Sequence, residues 1–171
     1  EEGWSATAYA ERFERVRGTA SSSVQHTVGS DDRHFYGGRL AHNLVFGDRA
    51  SLIFGGELRR DARDASRRIW RSWLPTANYV NNQQLDLLTY GLFAQGQYRL
   101  ASNFKLLGGV RRDWFDYDIQ NRKLPGASTV YKDAVTTPKI GAVWGITPAF
   151  EVFANVAEGF RSRPAQQRGR T

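Results

Sequence analysis

Residues 89–118 read TYGLFAQGQYRLASNFKLLGGVRRDWFDYD, and this stretch decides the fold. Before the short turn at 101–103, apolar and polar side chains alternate with a period of two. One phase is apolar and holds Tyr90, Leu92, Ala94, Tyr98 and Leu100, and the other holds Thr89, Gln95, Gln97 and Arg99. This alternation predicts a β-strand with one apolar and one polar face, and the turn predicts an antiparallel hairpin.

Two more short turns, at 47–49 and 147–149, join alternating segments in the same way. The intervening connections are polar and rich in arginine, and residues 61–86 show no steady period. We therefore expect an all-β, antiparallel meander of about seven long strands. The expected strands cover 4–16, 34–46, 50–60, 88–100, 104–118 and a last hairpin at 134–161, with loops at 18–33, 61–86 and around Pro125. Short turns at one end and long loops at the other are typical of outer-membrane barrels.

Aromatic residues on the apolar phase flank the three short turns, as the boundary of a membrane would require. They are Phe46, Tyr98, Phe104, Trp144 and Phe150, with Tyr36, Tyr90 and Trp114 as a second group farther from the turns. The same alternation occurs in soluble sandwiches and barrels, so periodicity alone leaves both classes open. The expected strand length favours the membrane barrel, because soluble strands usually run about five or six residues. The short turns would then face the periplasm.

Composition narrows the partners and the chemistry. The 171 residues carry a net charge of +7 and are 24% charged, and no apolar run reaches the roughly 18 residues of a membrane helix. The arginines cluster in connections and near strand ends, not along a helix suited to a DNA groove, so we expect no nucleic acid partner. The lack of cysteine excludes disulfides and thiol catalysis. The lack of methionine and of a signal-like start predicts a mature piece or an internal fragment.

Two stretches carry a family resemblance. Residues 90–117 and the run TPKIGAVWGITPAFEVFANVAEGFRS at 137–162 resemble hairpins of TonB-dependent outer-membrane receptors of the siderophore-receptor type. Residues 35–60 are similar in a weaker way, so the likeness covers about 35–162. The resemblance implies an internal fragment of a 22-stranded barrel in the bacterial outer membrane. It also implies a plug domain, energy delivered through the TonB protein, and import of ferric siderophores or similar scarce nutrients.

The resemblance sets the expected domain organisation as well. Residues 1–162 would form part of the β-barrel, and residues 163–171 a loop or disordered tail. No plug domain, TonB-contacting segment or closing C-terminal strand is recognisable in the chain. Seven strands are too few for such a barrel, so the isolated polypeptide should leave two open edges and a wide apolar face exposed to water.

No catalytic constellation is recognisable, and we expect a transporter and not an enzyme. Neither the histidines nor the closely spaced aspartates have the spacing of a metal site. These residues are His26, His34, His42, Asp113, Asp116 and Asp118. We therefore expect no metal site and no cofactor, since a ferric siderophore would be the transported ligand.

Two groups of side chains are candidate binding residues. If the short turns face the periplasm, the connection at 61–86 faces outward, where guanidinium and aromatic groups could hold an anionic, planar iron chelate. This candidate ligand site, in an extracellular loop, comprises Arg67, Arg68, Trp70, Arg71, Trp73 and Tyr79. These arginines could instead contact lipopolysaccharide or solvate a mobile loop. The lumen-facing group comprises Arg39, Asn43, Glu57, Arg59, Gln95, Gln97, Arg99, Lys139 and Asn155.

The resemblance thus implies an outer-membrane active-transport receptor. Its expected partners are TonB and the plug domain of the full-length receptor, outer-membrane lipid and lipopolysaccharide, and an iron chelate or another small nutrient. Two alternatives stay open, a passive or structural porin-like barrel of the outer membrane and a soluble β-rich carbohydrate-binding module.

Overall fold

The computed structural model describes residues 2–159, which form one antiparallel sheet. The strands are β1 Gly3–Ala20, β2 Gln25–Phe46, β3 Ala50–Arg71, β4 Leu74–Ala101, β5 Phe104–Asn121, β6 Thr129–Thr147 and β7 Phe150–Ala157, and a short 3-10 helix, Pro125–Ala127, precedes β6. Within 2–159 no helix is long and apolar enough to cross a membrane. The end of the predicted barrel segment, 160–162, and the predicted tail, 163–171, lie outside the described residues.

Each strand pairs antiparallel with the next strand of the chain, in the order β1 to β7. This arrangement confirms the predicted all-β meander of seven strands. The three short turns also fall where the alternation placed them, between β2 and β3, β4 and β5, and β6 and β7. At the edges, β1 and β7 each have one neighbour among the described strands, so the sheet is open.

The predicted long loops are the main difference between expectation and structure. β3 and β4 occupy nearly all of 61–86, and only Ser72 and Trp73 stand between them. β1 and β2 likewise fill most of 18–33 and leave a connection at 21–24. The loop prediction was wrong because it relied on an apolar phase, whereas backbone hydrogen bonds hold a hairpin together even where both of its faces are polar.

Strand pairing gives the sheet two faces that follow the parity of the residue number. Even numbers pair with even numbers and odd with odd, except past the β-bulge at Arg67/Arg68 and at the last pair before two of the short turns, Ala101 with Phe104 and Thr147 with Phe150. Residues paired in this way share a face. We call the even-numbered face outward and the odd-numbered face inner. The buried side chains of the described residues all lie on the inner face, and they are Ala41, Asp61, Asp113 and Tyr117. Because Arg111 of β5 also reaches across β4 to Glu57 of β3, we take the inner face to be the concave one.

The outward face carries a continuous apolar band beside the short turns. Its lowest row holds Phe46, Ala50, Tyr98, Leu106, Ala142 and Ala154, and its highest row holds Ala8, Gly38, Leu58, Tyr90, Trp114 and Ala134. Gly38 to Phe46 is about 26 Å of strand at about 3.3 Å per residue. With a tilt of about 40° the band is about 20 Å tall, close to the roughly 25 Å belt of outer-membrane barrels. Among the described residues, only Arg112 brings a formal charge into this band.

Candidate binding surface on the inner face

The structure places all nine residues predicted to face a lumen on the inner face. They are Arg39, Asn43, Glu57, Arg59, Gln95, Gln97, Arg99, Lys139 and Asn155, and they come from β2, β3, β4, β6 and β7. The residues that alternate with them along the strands lie on the outward face, and most of these residues belong to the apolar band. Alternation along each strand therefore gives the sheet a polar inner face and an apolar outward face.

Some of these polar side chains are held by neighbours on the same face. The guanidinium carbon of Arg39 lies 4.7 Å from the ring centroid of Phe93 on β4. Nζ of Lys139 on β6 donates to the side-chain oxygen of Gln95, so this contact spans β5. Such contacts orient the cations along the wall.

Glu57 belongs to a charged network that crosses three strands. Nη1 of Arg111 donates to Glu57 at 3.0 Å, and its Nη2 donates to Asp113 at 2.7 Å. Gly91 of β4 lies between Glu57 and Asp113 in the register. A Cβ at Gly91 would overlap the carboxylate of Asp113, so the glycine makes room for the network. Periodicity did not identify Arg111 and Asp113, because their partners depend on the register of distant strands.

A second network surrounds the buried carboxylate of Asp61. Nε of Arg33 and Nε of Arg59 each donate to it at 2.7 Å. Both guanidinium groups also lie over the ring of Phe35, 5.7 and 4.6 Å from its centroid. Two cations around one buried anion leave a net positive charge here, and the aromatic ring covers their flat faces.

Farther from the short turns, the inner face becomes richer in arginine. Arg63 donates to both oxygens of Asp31 at 2.7 Å. These hydrogen bonds lower the pKa of Asp31 below its ordinary value, so the carboxylate stays charged at neutral pH. Arg15, Arg17 and Arg67 lie on the same face, and none of them forms an ion pair with another described residue.

The predicted ligand site lies on a hairpin and not in a loop. Arg67, Arg68, Trp70 and Arg71 are on β3, Trp73 is in the turn and Tyr79 is on β4. The structure does not bring them into one pocket, because neighbouring residues of a strand point to opposite faces. Arg67 and Arg71 fall on the inner face, and Arg68 and Trp70 fall on the outward face.

Within this group the structure forms two separate contacts on the outward side. Nε of Arg68 donates to the carbonyl of Thr76, and its guanidinium carbon lies 5.3 Å from the ring centroid of Tyr79. At the tip, the rings of Trp70 and Trp73 both approach His26 of β2, with centroids 5.9 and 4.7 Å apart. The sequence pattern did not point to His26 as part of this group, because its contact with the two tryptophans depends on the pairing of β2 with β3.

The turn at the tip has an unusual backbone. Ser72 and Trp73 have φ of 48° and 66°, in the left-handed region that type I′ hairpin turns require. Turns of this type normally use asparagine and glycine, because a side chain there is disfavoured. Trp73 is nonetheless 79% exposed, so burial of its ring does not compensate for the backbone strain. An exposed aromatic residue held in this way is a candidate for ligand contact.

The described residues contain no group of three or more histidine, aspartate or glutamate side chains that could hold a metal ion. The inner face offers guanidinium, amide and aromatic groups for binding, and its carboxylates at Glu57, Asp61 and Asp113 are paired with arginines. Those groups suit anionic or aromatic ligands and the polar surface of a protein domain.

The sequence from residue 2 to residue 171 matches the family model described as TonB dependent receptor-like, beta-barrel. An uncharacterized TonB-dependent receptor of Haemophilus influenzae is 33% identical over 78 residues, which are 44% of this chain and 23% of that protein. The unliganded ferric citrate transporter FecA has a similar structure, with a TM-score of 0.76, 11% identity, and coverage of 89% of this chain and 24% of FecA.

The ferric yersiniabactin uptake receptor FyuA of Yersinia pestis is also similar, with a TM-score of 0.65, 14% identity, and coverage of 89% of this chain and 24% of FyuA. The chain spans about a quarter of the length of these proteins. At such low identity the two structures support the fold alone. The family is one of receptors, which confirms the expectation that the chain is not from an enzyme. The match over nearly the whole sequence shows that the chain belongs to the TonB-dependent receptor family, as a segment of its β-barrel.

Proposed function

We propose that the chain forms part of the barrel wall of an outer-membrane receptor that imports a scarce nutrient, with a ferric siderophore as the first candidate. The outward apolar band, with Arg112 as its one formal charge among the described residues, carries this proposal. Together with a polar inner face, it suits a wall that has lipid on one side and water or protein on the other. Family membership adds the expectation that TonB supplies the energy.

In the full-length protein, we place the seven strands in a barrel of 22 that strands from outside this chain complete. The nine inner-face residues would then face the lumen or the plug domain. The short turns would lie in the periplasm and the longer hairpins would project outward. The apolar band would contact outer-membrane lipid, and charged outward residues just above it, such as Arg60 and Lys132, would meet lipopolysaccharide.

The hairpin tip of β3 and β4 is proposed as a first contact for the incoming ligand. Arg67, Arg68, Trp70, Arg71, Trp73 and Tyr79 lie on both of its faces, so they would form a capture surface and not a closed pocket. The exposed ring of Trp73 and the nearby guanidinium groups could stack on and neutralise an anionic chelate. The chelate would be the transported ligand, and no cofactor is proposed.

The two alternative functions, a soluble carbohydrate-binding module and a passive pore, would require different properties of this sheet. A soluble carbohydrate-binding module would have to cover a contiguous apolar face that this sheet leaves exposed, which makes it the weaker alternative. A passive pore would use the same wall, and it differs from the receptor in its independence of TonB.

Uptake by cells tests the proposal directly. The complete gene that encodes this chain would be expressed in bacteria that lack their own siderophore receptors, with and without a functional TonB. We expect saturable uptake of iron from at least one member of a panel of radiolabelled ferric siderophores, and we expect deletion of TonB to abolish it. Uptake that survives the deletion would support the passive pore, and a protein found only in the soluble fraction would support the carbohydrate-binding module.

A further inference from the structure

One row of the inner face places two arginines on either side of a glycine. Arg17 of β1 pairs with Gly29 of β2, and Gly29 pairs with Arg67 of β3. Neighbouring strands lie about 4.8 Å apart, so the two Cα atoms that carry the guanidinium groups are about 10 Å apart. Asn81 of β4 continues the same row beyond Arg67.

Gly29 leaves the space between the two arginines empty. A Cβ built at Gly29 would meet only backbone, the carbonyl oxygens of Ser66 and Arg17 at 3.7 and 3.8 Å. No described side chain therefore fills the position above the glycine. The depression around it has a volume of about 390 Å³, and its lining also includes Arg15, Asp31 and Arg63. The space is large enough for a carboxylate or a phosphate group.

The charge of this depression is strongly positive. Arg15, Arg17, Arg63 and Arg67 line it, with Asp31 as the one acidic group among the lining residues. The carboxylate of Asp31 is already engaged by Arg63 through two hydrogen bonds of 2.7 Å. Arg17 and Arg67 thus keep their donors available, and each planar guanidinium can bind an oxyanion through two parallel hydrogen bonds.

We propose that Arg17, Gly29 and Arg67 form a cradle for an oxyanion group, a carboxylate or a phosphate, of the small molecule that the receptor takes up. The proposal rests on the proposed function and names the class of its ligand. The glycine supplies the floor and the two arginines supply the walls, so the anion is recognised by charge and by its small, planar or compact shape. The cradle lies beyond the apolar band, at the end of the inner face remote from the short turns.

Titration of the purified full-length receptor tests the cradle. The probes are tricarballylate, a metal-free tricarboxylate, and inorganic pyrophosphate, and calorimetry measures the affinity for each. We expect at least one probe to bind, and we expect Arg17→Gln with Arg67→Gln to weaken that binding by about tenfold or more, because hydrogen bonds between charged groups are lost. Which probe binds more tightly identifies the oxyanion. The matched control is Arg49→Gln with Lys123→Gln, which removes two exposed cations elsewhere and should leave the affinity within about twofold.

A second variant keeps both arginines. Gly29→Asp places a carboxylate between them, so it should abolish probe binding, whereas Gly29→Ala should reduce it much less. Failure of the wild-type receptor to bind either probe, or unchanged affinity in both the double arginine variant and Gly29→Asp, would overturn the cradle. Uptake measured in parallel separates the cradle from the proposed receptor function. TonB-dependent uptake by the wild type, together with unchanged probe binding in the variants, rejects the cradle alone. TonB-independent uptake rejects the receptor function whatever the titrations show.

Discussion

At the scale of single residues, the parity of the residue number decides on which face of the sheet a side chain lies. Arg112 is the informative exception, because it is a charged residue on the outward face within the apolar band. Its guanidinium carbon lies 5.4 Å from the ring centroid of Trp114, in the top row of the band. A long side chain in that position can keep its stem in an apolar layer and its charged group at the boundary with water. The exception is therefore compatible with a membrane, provided that the charge stays near the upper edge.

The same argument predicts the effect of a charge deeper in the band. Val110 lies on the outward face near the middle of the band, and Val130 lies on the same face beyond its top row. We expect Val110→Arg to destabilise the folded full-length receptor in lipid vesicles by about 2–4 kcal/mol, because the charge must enter hydrocarbon. Val130→Arg, the matched control, should cost no more than about 1 kcal/mol.

Denaturant titration of the receptor in vesicles, followed by the change in gel mobility on folding, measures both free energies of unfolding. Equal effects at Val110 and Val130 would show that the even-numbered face does not contact lipid at this level. They would also remove the observation on which the proposed function rests.

At the scale of elements, the strands are longer than the apolar band. β3 continues from Leu58, in the top row of the band, to Arg71, and β4 returns over the same distance. In the proposed receptor this extension would have water on both sides and would need no apolar phase, which accounts for the lack of a strand signal in the sequence of 61–86. The ladder of backbone hydrogen bonds maintains the hairpin and carries Trp73 far from the band.

The tip of this hairpin gives a prediction about ligand capture. In the full-length receptor, we expect Arg71→Ala with Trp73→Ala to weaken binding of the transported ligand by about tenfold or more, because a charged contact and a stacking contact are both lost. Equilibrium binding of a radiolabelled ferric siderophore that the receptor imports measures the effect. Lys123→Ala with Leu124→Ala, at the exposed β5–β6 connection, is the control, since it also removes one cation and one large apolar side chain. An affinity that matches the wild type would exclude the tip from the ligand path.

At the scale of the whole molecule, the main feature of the described sheet is its two open edges. β1 and β7 each lack a second partner within the described residues, and the outward face exposes large apolar side chains such as Leu58 and Ile140. Unpaired edges and an apolar face of this size favour aggregation in water. Backbone N–H and C=O groups along a lipid-embedded edge would also lack hydrogen-bond partners, so the sheet needs the remaining strands of the barrel.

We therefore expect that the 171-residue polypeptide alone does not form a stable monomeric transporter. Reconstituted in vesicles, it should lack the heat-modifiable gel mobility of a closed barrel and should show no ligand-dependent uptake, in contrast to the full-length receptor prepared in parallel. A closed-barrel mobility together with ligand-dependent uptake by residues 1–171 would contradict this expectation.

The sequence by itself determined the order of the strands, the three short turns and the face on which each alternating residue lies. Those properties follow from a local rule, the period of two along a strand, together with turns too short for any other connection. Arg39 and Gln95 could therefore be assigned to one face from the sequence alone.

The tertiary structure decided how far the strands extend and which distant residues meet. Pairing between strands is set by the register of the whole sheet, so the contact of Arg111 with Glu57 and the row of Arg17, Gly29 and Arg67 have no signal in any one segment. The polar extension of β3 and β4 is likewise held by backbone hydrogen bonds, which all residues except proline can both donate and accept and which leave no pattern in the side chains.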